Sequence, residues 1–268
     1  MSTPPHLSDS EYQQIQHQVL KYSGIVLADN KKQMVLGRLM RRARVLKIND
    51  IGDYLAYLQS NQAVEHDKFI NAMTTNVTAF FREAHHFDFL TEQFSSRRGD
   101  VPVKIWSAGG STGQEAYTIA MTMVSCRCAC DILVSDIDSD VLDIARQADY
   151  PIADISKVPE AMQRRFFLKG RGEHAGRVRV KDELRKTIHF ESVNLLDSFQ
   201  QFESFDVIFC RNVLIYFNAE TKKKVVTKFV DLLSEDGVLI VGHSESLLSL
   251  SDRLQHMGRT IYRKRSVH

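Results

Sequence analysis

The sequence predicts an α/β protein: a helical N-terminal part runs into a parallel sheet covered on both faces. Two observations carry this reading. Apolar residues recur at helical spacing up to Phe94. Beyond Asp100, short apolar runs alternate with amphipathic stretches, the pattern of repeated strand–helix units. A third observation marks an interruption. Between Gly170 and Phe190 the chain turns to glycines, basic residues and the alternating Val178-Arg179-Val180, which reads as a small antiparallel insertion.

Ser8 with Glu11 forms a capping-box signature, and Leu7 with Tyr12 suits a hydrophobic staple. Tyr12, Ile15, Val19 and Tyr22 then repeat along one helix face. A second helix is expected over Lys31 to Leu46, a third after an Asp50 cap with Tyr54, Leu55 and Leu58 on one face, and a fourth over Val64 to Met73. Phe87, Leu90 and Phe94 mark a fifth before the polar break SSRRGD. Strands follow at Val103 to Trp106, Ile132 to Val134, Phe205 to Phe209 and Val238 to Val241. Helices are expected at Glu115 to Val124, Ser139 to Arg146 and Ala219 to Leu233. The expected division is a helical domain over 1–75, a linker and connecting helix over 76–99, and a sheet domain over 100–268 with the antiparallel subdomain at 168–190.

Composition narrows the function classes. Apolar residues make up 43% and charged residues 25%, enough to build a core and too little charge for disorder. A net charge of +2 gives no whole-chain argument for nucleic acid. The N-terminus lacks the basic and apolar regions of a secretory signal, and no run approaches the roughly 20 apolar residues of a membrane span. Of four cysteines, Cys126, Cys128 and Cys130 alternate and Cys210 sits in an apolar run. On a strand, that alternation is poor geometry for tetrahedral zinc, so buried thiols and a cytoplasmic setting are expected. His85 and His86 are adjacent rather than four apart, and no metal is expected.

Four segments carry candidate chemistry. Trp106-Ser-Ala-Gly109-Gly110-Ser-Thr-Gly113-Gln114-Glu115 is a strand feeding a glycine-rich turn and a helix, a geometry that offers backbone N–H groups to a ligand. A tight turn without ligand is the alternative. A phosphate loop is a poor fit because Gly-Lys-Ser/Thr is missing, and a hydride-transfer dinucleotide site is a poor fit to the glycine spacing. Asp136 ends the next apolar run about 20 residues downstream, where an acidic residue accepts from ribose hydroxyls; a cap on the helix near Ser139, together with Asp138, is the other reading. Arg211 and Asn212 stand at the carboxyl end of a further strand, where α/β enzymes make ligand contacts. Thr75 to His86 joins the helical part to the sheet part, with two aromatics beside Arg82.

TNVTAFFREAHHF, WSAGGSTGQEAYTIAM, SDIDSDVL, SVNLL and FCRNVLIYF occur in this order along the chain. Together they resemble the chemotaxis-receptor glutamate methyltransferases of the CheR type, over nearly the whole sequence. The resemblance implies a helical N-terminal domain, an S-adenosylmethionine-binding Rossmann-like sheet and an inserted three-stranded subdomain. Carried over by position, it puts Asn76, Thr78 and Arg82 near the methionine moiety and reaction centre. It puts Glu115 on the cofactor's amino group, Asp136 on the ribose, Asn194 and Leu195 beside the adenine, and Arg211 with Asn212 at the pocket. It also puts Tyr216 beside Arg82 at the acceptor. The chain departs from the family's usual pattern at Gly109, Gly110, Gln114 and Ala116, which puts a role for position 114 in doubt.

A glutamate acceptor needs no base, because its reference pKa of about 4.3 leaves it ionised at neutral pH. The implied reaction is an in-line displacement that turns S-adenosylmethionine into S-adenosylhomocysteine, with Arg82 and Tyr216 orienting the carboxylate. The implied partners are methyl-accepting receptors. Arg38, Arg41 and Arg42 share a helix face that could seat glutamate-rich helices, with a solvated face as the alternative. Arg177 and Arg179 lie on the inserted hairpin, which resembles that of family members tethered to a C-terminal receptor pentapeptide; a purely structural hairpin is the alternative. A monomer is expected, without nucleic acid or membrane insertion. A methyltransferase for small molecules and a non-catalytic cofactor sensor are the competing readings.

Overall fold

The computed structural model describes residues 6–97 and 101–265. The first five residues, Arg98-Gly99-Asp100 of the expected polar break (with the expected domain boundary at 99 and 100) and the last three residues lie outside them. The chain forms two compact units, Met1–Thr75 with Tyr216–Thr221, and Asn76–Ile215 with Lys222–His268.

In the helical unit, α1 (Asp9–Ser23) starts at the expected capping box. Ser8 N–H donates to Glu11 Oε2 at 2.7 Å, and Glu11 N–H donates to Ser8 Oγ at 3.2 Å. Gly24, at φ 74°, closes it in the left-handed conformation that glycine adopts without a Cβ penalty. Next come α2 (Lys32–Val45), α3 (Ile51–Ser60), capped by Asp50 on the Gly52 and Asp53 N–H groups, and α4 (Gln62–Met73). Val35, Leu36, Leu39, Met40 and Ala43 of α2 are buried at helical spacing. Tyr216–Thr221 belongs to this unit: Ile25 and Phe217 form a β-bridge, and Val26 N–H donates to the Tyr216 carbonyl at 2.8 Å.

In the α/β unit, α5 (His85–Phe94) precedes β1 (Val103–Ala108), α6 (Gln114–Ser125), β2 (Cys130–Asp136) and α7 (Ser139–Gln147). Then come β3 (Asp149–Pro151), α8 (Glu160–Phe166), β4 (Phe167–Lys169), β5 (Arg177–Val180), α9 (Asp182–Arg185) and β6 (Ile188–Ser192). After β7 (Phe205–Cys210) follow α10 (Ala219–Leu232), β8 (Leu233–Val241), β9 (Leu254–Gly258) and β10 (Ile261–Lys264). The seven-stranded sheet has the order β6-β2-β1-β7-β8-β10-β9. Its first five strands are parallel, and β10 pairs antiparallel with both β8 and β9. Trp106 of β1 is fully buried, with the rings of Phe199, Phe202, Phe205 and Phe229 all within 5.3 Å of its own. From β1 the chain proceeds outward to β2 in one direction, and β7 and β8 lie in the other. The order therefore reverses between β1 and β7, where ligand crevices open in such sheets.

The antiparallel insertion exists as the sheet β3-β5-β4, but its expected bounds of 168–190 need correction. It reaches back to Asp149, and Ile188–Ser192 instead pairs in parallel with β2 in the large sheet. Glycine and arginine content hid the change, because β6 is an edge strand with one buried residue, Ile188, a half-buried Phe190 and otherwise polar side chains. The CRCAC cysteines do not share a strand: Cys126 caps the end of α6, Arg127 takes φ 56°, and only Cys130 enters β2. Burial pushes the Cys130 thiol up to about 11. No helix among the described residues is long and apolar enough to cross a membrane.

Candidate functional site

The candidate residues gather where strands end. Beyond β1, Gly109 takes φ 79°, and a Cβ there would lie 2.4 Å from Val213 Cγ2. A Cβ on Gly110 would lie 2.4 Å from Val134 Cγ1. Both glycines are thus matched to branched neighbours that fill the space a side chain would need. The expectation that this turn offers free N–H groups is corrected. Gly109 and Gly110 both donate to the Ser135 carbonyl (2.8 and 2.9 Å), Gly113 donates to the Gly110 carbonyl, and Ser111 N–H donates to Asp136 Oδ2 at 2.9 Å. The turn holds Asp136. It does not present a row of amides. Gln114 is buried and accepts from the Thr112 hydroxyl at 2.7 Å, so the position keeps a packing role without a charge.

Asp136, at the end of β2, accepts from Ser111 N–H and, through Oδ1, from Asp138 N–H at 3.0 Å. Burial pushes its carboxyl up to about 6, and the backbone N–H groups only partly offset that. Asp138 is the helix cap, accepting from Asp140 N–H, so the cap role falls to Asp138 and not to Asp136. Asn76 joins them: its side chain donates to Asp138 Oδ2 at 2.8 Å, and its carbonyl accepts from the Ser111 hydroxyl at 3.0 Å. Thr78 is half-buried in the same segment.

A second cluster is ionic. Glu115 accepts from Ser107 Oγ at 2.7 Å and pairs with Arg211 Nη1 at 2.9 Å. Arg211 also donates to the Arg82 carbonyl, lies 3.4 Å from Glu83 and stacks its guanidinium over Phe87. Its buried Nε has no hydrogen-bond partner among the described residues. The Arg82 side chain donates to the Val77 carbonyl at 2.8 Å, within a turn where Phe81 and Glu83 both take positive φ. Beyond β6, Asn194 accepts from Leu196 N–H at 3.0 Å, and the Leu195 carbonyl accepts from Lys228. The Lys228 ammonium sits over the Phe199 ring, and burial lowers its pKa.

Sequence reasoning did not find Glu245. Its buried carboxylate accepts from Gly242 N–H at 2.7 Å and Asn212 N–H at 2.8 Å on Oε2, and from Ile215 N–H at 3.1 Å on Oε1. Burial raises its carboxyl above the ordinary range, and these N–H groups pull it back. The rule that singled out Arg211 and Asn212, polar residues just past a strand, also reaches Gly242-His-Ser-Glu245 beyond β8. Ser107, Ser111 and Glu83 were missed too, and short polar side chains in a turn give no distinct signal.

Three expectations about other groups change. Arg38 donates to the Met73 and Thr74 carbonyls (2.9 and 2.6 Å) at the end of α4, and Arg42 clasps buried Glu65 with two 2.7 Å hydrogen bonds. Of the three arginines expected to face a receptor, only Arg41 is exposed. Arg177 pairs with Asp149 at 3.0 Å, leaving Arg179 as the exposed arginine of β5 without such a pair among the described residues. His85 and His86 do converge, with Glu83, to within 4.8 Å. The same carboxylate faces the Arg211 cation at 3.4 Å, and burial and that cation hold His86 down at about 4. A fixed guanidinium so close opposes a divalent ion. His86 Nε2 instead contacts the Arg259 carbonyl and the Thr260 hydroxyl. Tyr216 belongs to the helical unit and Arg82 to the α/β unit.

Family models match both units. "CheR methyltransferase, all-alpha domain" covers residues 10–74, and "CheR methyltransferase, SAM binding domain" covers residues 76–263. The chain belongs to the CheR methyltransferase family. A chemotaxis protein methyltransferase of Salmonella typhimurium is 43% identical over 262 residues, covering 96% of this chain and 90% of that protein. Chemotaxis protein methyltransferase 2 of Pseudomonas aeruginosa is 40% identical, covering 96% and 94%. The Escherichia coli chemotaxis protein methyltransferase is 42% identical, covering 96% and 91%. As a CheR methyltransferase, the chain is an α/β enzyme whose cofactor is S-adenosylmethionine. The clustered residues fit that cofactor chemically. Asp136, held by backbone N–H groups, retains acceptor capacity for hydroxyls, and the orphaned Arg211 Nε is a donor suited to a carboxylate.

Proposed function

We propose that this protein methylates glutamate side chains of bacterial chemotaxis receptors, forming the γ-methyl ester by in-line displacement onto an ionised carboxylate. The observation that carries the reading is Asp136, a carboxylate buried at a strand end without a cationic partner among the described residues. The relatives, named as chemotaxis protein methyltransferases, support the chemotaxis setting.

S-adenosylmethionine, when bound, supplies a methyl group on a positively charged sulfur. In this reading Asp136 takes the ribose hydroxyls, Asn194 and Leu195 border the adenine, and Glu115, Arg211, Asn212, Asn76 and Thr78 line the methionine end. Because Glu115 is already paired with Arg211, the two act as one unit there: a net-neutral pair that meets both the amino and carboxylate groups of an amino acid. Arg82 and Tyr216 orient one acceptor oxygen and leave the other to attack. No residue takes a proton, since the acceptor is ionised at neutral pH. Excluding water from the carboxylate raises its reactivity. Arg41 on α2 and Arg179 on β5 are the exposed arginines left for acidic receptor segments, the second for a C-terminal pentapeptide. The protein acts as a cytoplasmic monomer.

The test is incubation with methyl-labelled cofactor and receptor-containing membranes, followed by alkali. Label released by base as methanol is the expected result. Base-stable label on the receptor would overturn glutamate esterification.

A further inference from the structure

Two strand-end turns of the α/β unit meet at one buried carboxylate. Glu245 receives the N–H groups of Asn212 and Ile215 from the turn after β7, and that of Gly242 from its own turn after β8. The contact is as close as the backbone permits. A Cβ on Gly242 would lie 2.6 Å from Asn212 Nδ2 and 2.8 Å from Asn212 N. Asn212 itself sits at φ 59°, in the left-handed region that asparagine enters more readily than other side-chain-bearing residues. The next residue of the β8 turn, His243, donates its N–H to Glu83 at 3.1 Å, on the carboxylate that faces Arg211. The 242–245 turn therefore secures Arg211 and Asn212 through separate contacts.

We infer that Glu245 is a positioning residue for methyl transfer: its two oxygens fix the 211–215 turn, Oε2 at the cofactor end and Oε1 at the end that runs into Tyr216. This rests on the roles proposed above for Asn212 and Tyr216. Each oxygen has a separate load, so the variants separate. In Glu245→Gln the amide keeps one carbonyl oxygen, which the two closest donors, Asn212 N–H and Gly242 N–H at 2.8 and 2.7 Å, claim. The NH2 group then faces Ile215 N–H, donor against donor. The Asn212 end stays, and the Tyr216 end loosens. In Gly242→Ala the new methyl group pushes on Asn212 directly.

The experiment measures turnover on receptor membranes per cofactor site, with sites counted by S-adenosylhomocysteine binding in a calorimeter. A displacement of about 1 Å at a reacting group lowers rates by up to roughly 100-fold. Glu245→Gln is expected to lower turnover per site roughly tenfold or more, with S-adenosylhomocysteine affinity within about threefold of wild type. Gly242→Ala is expected to lower both. A residue serving only stability would reduce the number of sites and the melting temperature and leave turnover per site intact. Wild-type turnover per site in Glu245→Gln overturns the inference, and if that variant does not fold, wild-type turnover and affinity in Gly242→Ala do so. Failure of the wild-type protein to form base-labile ester overturns the underlying reading instead.

Discussion

Glu65 in the helical unit and Asp136 in the α/β unit are both buried carboxylates, at 1% and 8% exposure, and they are treated in opposite ways. Glu65 is answered in full: Arg42 grips both oxygens at 2.7 Å, and the Tyr54 hydroxyl adds a third bond at 3.0 Å. Asp136 meets backbone N–H groups, and burial leaves its carboxyl up at about 6. A charge satisfied inside the fold serves the fold. A buried charge kept short of partners is a group held ready for a ligand. Glu115 stands between the two, paired with Arg211 yet sharing a guanidinium whose Nε remains orphaned.

The contrast breaks most visibly at Arg42. Removing one partner of a buried pair strands the other charge, which costs about 3–5 kcal/mol. Arg42→Ala is expected to lower unfolding stability by about that much, read from denaturant midpoints at constant slope. A loss below about 0.5 kcal/mol, the range of exposed pairs, would mean that Arg42 is free for a partner after all.

Asp136 gives the next effect, and its sign is opposite. Its folded value of about 6 exceeds the ordinary 3.8, so the folded state binds the proton more tightly. The stability this contributes is complete below pH 3.8 and is lost as pH rises through about 6. The total is about 3 kcal/mol at 1.36 kcal/mol per unit. Unfolding of the cofactor-free protein at pH 4.5 and pH 7.5 (approximate settings chosen to bracket that window) is expected to show the slope, and Asp136→Asn to flatten it. The ionised form is the better acceptor for ribose hydroxyls, so S-adenosylhomocysteine affinity is expected to fall below about pH 6 in wild type. Affinity that is flat with pH, or unchanged in Asp136→Asn, would place the ribose elsewhere.

At the proposed acceptor, Tyr216→Phe removes one hydrogen bond from a carboxylate. That is worth about 1.4 kcal/mol, or tenfold in turnover. Arg82→Ala is expected to lose at least as much, and neither should move S-adenosylhomocysteine affinity. Parallel loss of affinity and rate in both variants would return Arg82 and Tyr216 to a cofactor-binding or structural role.

Much of this was legible because the signals were local. The capping box at Ser8, the Asp50 cap and the apolar runs of β1, β2, β7 and β8 are written in consecutive residues, and the structure carries each of them. What escaped depends on partners distant in sequence. Arg38, Arg41 and Arg42 look alike along α2, and only the folded positions of Glu65 and the end of α4 separate the exposed member from its neighbours. The β9–β10 hairpin hid because its turn uses Arg259 and Thr260 at φ 50° and 61°. Both are positions where Asn-Gly would have announced it. Glu245 escaped for the same reason as Arg42: a glutamate in a loop reads as solvated until the backbone N–H groups around it are known.

The smallest effect tests the corrected docking surface. With Arg38 and Arg42 engaged inside the helical unit, Arg41 is the member of the expected triad whose charge is open to solvent. Reversal in Arg41→Glu should leave unfolding stability within about 0.5 kcal/mol, since no internal pair is lost. Its effect should appear in association with an acidic helix: a few-fold drop in receptor methylation at low salt, carried by the apparent KM for receptor. At about 0.15 M ionic strength the Debye length is only about 8 Å, so the difference from wild type should shrink as salt is raised. An Arg41→Glu enzyme with wild-type KM at low salt would show that α2 is a solvated face. The receptor-recognising charge would then have to be sought elsewhere, first at Arg179.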